Sequence, residues 1–147
     1  MKIRVLLVDD EEQFIEQLSE RLKLRDYDVT ACFSGEEAVE KLKQYLFDVV
    51  VLDVAMPGLD GIEALRQMKS TRPLTEVIML TGHATVESAI EGMKLGAFDY
   101  LMKPTETDTL THKINNAHQR KAEQEERIRS AKAERYATSP WSALDDK

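Results

Sequence analysis

The chain has little of what would staple it or anchor it. One cysteine, Cys32, in 147 residues rules out an intrachain disulfide and a cysteine-based metal cluster. Cys32 lies in an apolar, strand-like stretch and reads as a small core residue rather than a nucleophile. No run approaches the ~20 apolar residues that span a bilayer. The opening residues, MKIRVLLVDDEE, hold a short apolar run that ends in acids, without the length or cleavage site of a secretory signal. These absences leave the cytoplasm as the expected compartment and no membrane as a partner. Basic residues are also short. Twenty Lys and Arg against 27 Asp and Glu give a formal net charge of −7, which argues against direct nucleic-acid binding. There is no fixed-period repeat and no low-complexity segment. A chain of this length makes one domain with a short appendage, and it can bury a core unaided.

What is present is a five-fold alternation of strand and helix. Ile3 to Val8 is an apolar strand ending on Asp9-Asp10-Glu11-Glu12. Phe14, Ile15, Leu18 and Leu22 then recur at helical spacing, with Asp10 and Gln13 spaced as a capping box. Asp28 to Cys32 is a second strand. Ser34-Gly35-Glu36-Glu37 reads as a second capping box, with Ala38, Val39, Leu42 and Leu46 turned inward. Val49 to Leu52 is an unbroken apolar run ending on Asp53, as expected of a central strand buried on both faces. A turn at Met56-Pro57-Gly58 leads to a helix starting at Asp60, with Glu63 three residues on and Ile62, Leu65 and Met68 inward. Glu76 to Leu80 is a fourth strand ending on Thr81-Gly82-His83. A helix over Thr85 to Leu95 is expected to bury Val86, Ala89, Ile90 and Met93, with Gly96 closing it. Phe98 to Met102 is a fifth strand ending on Lys103-Pro104. A last helix begins near Thr105 and shows Leu110, Ile114 and Ala117. Such alternation implies an α/β fold with a doubly wound parallel sheet, and the order 2-1-3-4-5 suits five strands with right-handed crossovers.

Chemistry in open parallel sheets gathers beyond the carboxyl ends of the strands. There the chain places Asp9, Asp10, Asp53, Thr81 and Lys103. Three carboxylates in one crevice repel one another, and a hard divalent cation makes them compatible. Magnesium takes one or two carboxylates, waters and a phosphate oxygen. Lys103 supplies a compact positive charge and Thr81 a hydroxyl, both suited to a phosphoryl group. The combination points to phosphoryl transfer onto a carboxylate. Asp53 is the favoured acceptor, alone on the central strand opposite Lys103, which leaves Asp9 and Asp10 for the metal. Taken singly, each residue has a blander role: helix cap, strand end or solvated lysine.

The segments LLVDDEE, VVVLDVAMPGLDGIEAL, VIMLTGHA and GAFDYLMKP together resemble the receiver domain of bacterial two-component response regulators. TGHATVESAIEGMKLGAFDYLMKP is similar to receivers of the nitrogen-regulation class of transcriptional activators. The resemblance covers residues 1–118 and implies a flavodoxin-like receiver fold. It implies that Asp53 takes a phosphoryl group from the phosphohistidine of a sensor kinase or phosphotransfer protein. It also implies that Asp10, Asp53 and the backbone carbonyl of Ala55 ligate magnesium or manganese, with Asp9 helping through water. Thr81 and Lys103 would contact the phosphoryl oxygens. Tyr100 matches the aromatic switch position, Lys103-Pro104 an expected cis peptide, and Gly82 a position kept small for phosphoryl entry. Ala55 and His83 fall where the family tunes phosphate lifetime. The chain would be a switch rather than an enzyme. Its output would be protein contact through the fourth helix, fifth strand and fifth helix, to a target or a second copy of itself.

Rival classes meet specific obstacles. A magnesium-dependent aspartyl-phosphate hydrolase needs a second Asp two residues after the nucleophile, where this chain has Ala55. A flavin-phosphate module needs a Ser/Thr/Gly-rich loop after the first strand, where this chain has Asp-Asp-Glu-Glu. A signalling-dead receiver would lack site residues, and all five are present. Residues 119–147 form a second region. They hold seven basic and six acidic residues, against thirteen and twenty-one in the first 118, so the acidity belongs to the domain. Gln119 to Arg135 has strong helix propensity without a wide apolar face, as expected of a last helix prolonged into solvent. Tyr136 to Lys147, with Ser139-Pro140 and Trp141, reads as a flexible tail.

Overall fold

A computed structural model describes residues 1–56, 60–82 and 85–138. Pro57, Gly58, His83 and the tail with Ser139, Pro140 and Trp141, which carry several of the expectations above, lie outside the described residues. The elements alternate without exception: β1 (Arg4–Val8), α1 (Glu12–Leu24), β2 (Asp28–Cys32), α2 (Gly35–Gln44), β3 (Val49–Leu52), α3 (Gly61–Thr71), β4 (Glu76–Thr81), α4 (Val86–Lys94), β5 (Asp99–Met102) and α5 (Thr107–Thr138). The sheet is parallel with order β2-β1-β3-β4-β5. Val5 pairs with Val49, Val49 with Glu76, and Ile78 with Asp99.

Strand alternation divides the core into two layers. Leu6, Val8, Val50, Leu52 and Met79 pack with α2 and α3, through Ala38, Leu42, Leu65 and Met68. Val5, Leu7, Val49, Val51, Ile78 and Leu80 pack with Ile15, Leu18 and Leu22 of α1 and Leu110, Ile114 and Ala117 of α5. A fully buried aliphatic side chain contributes on the order of 2 kcal/mol. A one-residue slip of β3 would exchange both layers at once, so its register is firmly set. Cys32 is completely buried, and burial pushes its thiol up to about 12.

Several local expectations need correction. The α1 cap is Glu11, with no side-chain cap bond. Asp10 and Gln13 therefore do not form a capping box, and the carboxylate that turns back on the chain is Asp9, accepting from the Glu11 N–H at 3.0 Å. At α2, Ser34 accepts from the Glu37 N–H, but Glu37 reaches Phe33 N–H instead of closing the box on Ser34. Asp60 caps α3 through the Glu63 N–H as expected. Leu46 lies past the end of α2 and is exposed.

The largest correction concerns α4. Val86, Ile90 and Met93 are 76%, 50% and 47% exposed, and Ala89 is half-buried. The buried residue is Gly92, where an added Cβ would stand 2.4 Å from Met79 Sδ. Ser88, Ala89, Gly92 and Leu95 share a face at helical spacing. The small size of Ser88, Ala89 and Gly92 brings α4 close to β4 and leaves Val86, Ile90 and Met93 outside. Gly96, at φ +100°, closes the helix. The α5 helix runs unbroken from Thr107 to Thr138, so the charged region does prolong it. Among the described residues no helix is long and apolar enough to cross a membrane.

Candidate functional site

The parallel sheet delivers the five strand-end residues to one edge. Asp9 and Asp10 follow β1, Asp53 follows β3, Thr81 ends β4 and Lys103 follows β5. Backbone bonds hold the two key carboxylate bearers in place. Asp53 N–H donates to Val8 carbonyl at 2.9 Å and Asp9 N–H to Cys32 carbonyl at 3.2 Å. Asp9, Asp10 and Asp53 each offer a carboxylate oxygen within 4.8 Å of the others. Asp9 and Asp53 are buried, while Asp10 is exposed, so the cluster opens to solvent on one side. Ala55 is exposed two residues beyond Asp53, and its N–H donates to Asp53 Oδ1 at 3.3 Å. Gly61 packs directly behind this turn. A Cβ there would fall 2.5 Å from the Asp53 carbonyl oxygen and 2.2 Å from Val54 Cα.

Among the described residues, Lys103 is the cation bonded to the cluster. Its Nζ donates to Asp9 Oδ2 at 2.5 Å and Glu11 Oε1 at 3.0 Å, and sits 4.1 Å from the centroid of the Phe14 ring. Burial disfavours the ammonium, but the bonds to Asp9 and Glu11 outweigh it and raise its pKa. Burial raises the pKa of Asp9, aided by the charge of Asp53, against the lowering bonds from Lys103 and the Glu11 N–H. Lys103 thus bonds Asp9, rather than standing opposite Asp53 with the Asp pair left free. Thr81 is fully buried, and its carbonyl accepts from Lys103 N–H at 2.9 Å. The Lys103-Pro104 peptide is cis. Gly82 is exposed, and a Cβ there would meet only Lys103 Cβ, at 4.0 Å. Tyr100 is half-buried, with its hydroxyl 2.8 Å from Ser88 Oγ.

Three participants were not singled out from sequence. Glu11 was visible in the acidic run. Phe14 and Ser88 gave no signal, because their role depends on which helix face meets the strand ends. As a donor set, three carboxylates, two of them buried, fit a hard divalent cation.

A family model of the response regulator receiver domain matches residues 5–115. The chain belongs to this family. The regulatory protein AtoC of Escherichia coli K12 is 38% identical over 116 residues, which cover 79% of this chain and 25% of AtoC. The transcriptional regulatory protein FixJ of Bradyrhizobium diazoefficiens is 39% identical over 116 residues, covering 79% of this chain and 57% of FixJ. A CheY-like receiver domain from Methanospirillum hungatei superposes with TM-score 0.82 at 27% identity, covering 84% of this chain and 99% of that one. The chain spans about a quarter of the length of the first curated relatives it matches. The shared part is thus the receiver domain.

Proposed function

We propose that this receiver domain is a phosphorylation-driven switch whose acceptor is Asp53. The observation that carries the reading is the meeting of Asp9, Asp10 and Asp53 with Lys103 at the carboxyl edge of the sheet. Asp9, Asp10, Asp53 and the Ala55 carbonyl are the groups that would hold magnesium, or manganese in its place. The bound cation would neutralise charge developing on the transferred phosphoryl group. In the transfer, an Asp53 carboxylate oxygen attacks phosphorus, the O–P bond forms, and the N–P bond of a phosphohistidine donor breaks. The imidazole leaves and takes up a proton. Lys103 exchanges part of its bonding to Asp9 for the incoming oxygens, and the Thr81 hydroxyl donates to another.

The donor is a sensor histidine kinase or a phosphotransfer protein in the cytoplasm. The chain itself turns over no external substrate. Movement of Thr81 toward the phosphoryl group makes room for the Tyr100 ring and reshapes the surface of α4, β5 and α5. That surface already exposes Val86, Ile90, Met93 and Met102, an apolar set suited to a protein target or a second copy. Direct contact with nucleic acid is not part of this reading. Fluorine NMR of the magnesium-loaded protein with beryllofluoride tests it. A bound resonance is expected in the parent chain and none in Asp53→Asn. An equal bound resonance in both would overturn the assignment.

A further inference from the structure

Two buried carboxylates lie at the edge of the sheet opposite the acidic site, and both hold α5. Asp48 immediately precedes β3, and Glu76 begins β4. Their side chains are 9% and 1% exposed. Lys121 Nζ pairs with Asp48 Oδ1 at 3.3 Å, and Arg120 pairs with Glu76. Each carboxylate has a second cation from the domain body. The Arg4 guanidinium Nη2 lies 3.6 Å from Asp48 Oδ1, with the Arg4 backbone N–H donating to Asp48 Oδ2 at 2.9 Å, and Lys69 Nζ meets Glu76 Oε1 at 3.3 Å. The Glu76 N–H also donates to the Asp48 carbonyl at 3.2 Å, so the two anchors are one unit. The Arg120 guanidinium lies over the Phe98 ring at 5.0 Å.

These anchors occupy the far ends of the strands that carry the switch. Asp48 and Asp53 bracket β3, and Glu76 and Thr81 are the first and last residues of β4. A strand of this length spans about 20 Å and is stiff along its axis. Coupling between distant sites needs such a contiguous, packed connection. Past Gln124 the described side chains of α5 are exposed, so the clamps sit close to the point where the helix runs into solvent.

We propose that the clamps Asp48–Lys121 and Glu76–Arg120 make α5 beyond residue 118 a lever that reports the state of the acidic site, driven through β3 and β4. The proposal rests on the phosphorylation reading of that site and adds where its signal leaves the domain. A shift of Thr81 moves β4 and, with it, the carboxylate that seats Arg120. A partner reading the helix would thus sense the site from the opposite end of the sheet.

Amide hydrogen exchange on the full chain, with magnesium alone and with magnesium plus beryllofluoride, tests this. Fluorine NMR on the same samples reports whether the mimic is bound. In the parent chain the mimic is expected to change exchange over residues 119–125 by about threefold or more. In the double variant Arg120→Gln, Lys121→Gln the mimic still binds and still perturbs α4, but the change over 119–125 disappears. Glutamine keeps the helix propensity, and Arg4 and Lys69 still partner the carboxylates, so the fold is retained. Lys121→Arg on its own keeps the response. A mimic that binds the parent chain without altering residues 119–125 overturns the lever, as does a double variant with the parent response. A mimic that fails to bind the parent chain overturns the reading of the site, and the lever with it.

Discussion

Lys103 Nζ and Asp9 Oδ2 are 2.5 Å apart, which ties the carboxyl ends of β1 and β5 across the intervening strands. The pair is shielded, with side chains 13% and 3% exposed. Asp53 acts on the ammonium through its charge. Among the described residues, Lys103 thus braces the acidic cluster before any metal or phosphoryl group arrives.

Removing that brace leaves Asp9 buried beside two other carboxylates. Lys103→Met is expected to destabilise the metal-free protein by about 3 kcal/mol, and added magnesium should recover part of the loss by binding only the folded state. Urea denaturation with and without magnesium measures both effects. Parent-like stability in metal-free buffer would show that the pair carries no structural weight.

Asp53→Asn removes one of three mutually repelling charges. The metal-free variant is expected to gain about 1 kcal/mol and to lose most of the stabilisation that magnesium gives the parent. The two proteins would then exchange rank as magnesium is added. Parallel magnesium dependences would mean that Asp53 takes no part in holding the ion.

Two glycines near the site are expected to behave differently. Gly61→Ala forces a Cβ against the backbone of Asp53 and Val54, overpacking that costs about 3 kcal/mol. Gly82→Ala meets only a 4.0 Å contact with Lys103 Cβ and should stay within about 0.5 kcal/mol of the parent. If Gly82→Ala nonetheless slows acquisition of the phosphoryl group, its effect lies in access rather than in folding. Thermal melts paired with labelling rates separate the two.

The N-terminal edge of the sheet should reveal itself through pH. Burial opposes ionisation of Asp48, but the Arg4 N–H and the charges of Lys121 and Arg4 outweigh it and hold its carboxyl below the usual range. Its contribution is therefore full above the unfolded carboxylate value, about 4, and is lost as pH falls through the lower folded value. Asp9 has the opposite sign: its raised pKa favours the folded state below the unfolded value, an advantage lost as pH rises through the folded one. The stability gap between the parent and Asp48→Asn should narrow as acid is added below about pH 4. A gap that stays constant through that range would contradict the assignment.

The sheet order and the gathering of the five strand-end residues were legible because apolar runs ending in single polar residues fix both strand and edge. Asp60 as a helix cap was legible for the same local reason. The seating of α4 was not. Its most apolar residues suggested an inward stripe, yet a close approach at Gly92 turns Val86, Ile90 and Met93 outward, and a hydrophobicity pattern carries no information about that approach. The partner of Lys103 was equally hidden, because Asp9 and Lys103 are 94 residues apart and their bond depends on side-chain reach. The ionic anchors of α5 escaped for a related reason. Arg120 and Lys121 looked like members of a solvated charge run until the fold set Glu76 and Asp48 beneath them.

The most direct measurement is site mapping of the phosphoryl group after incubation with acetyl phosphate and magnesium. Borohydride reduction converts an aspartyl phosphate to homoserine, which peptide mass spectrometry locates. The expected result is conversion at Asp53 alone, dependent on magnesium and abolished in Asp53→Asn. Conversion at Asp9 or Asp10 in the parent chain, or magnesium-dependent labelling that survives in Asp53→Asn, would contradict the central assignment.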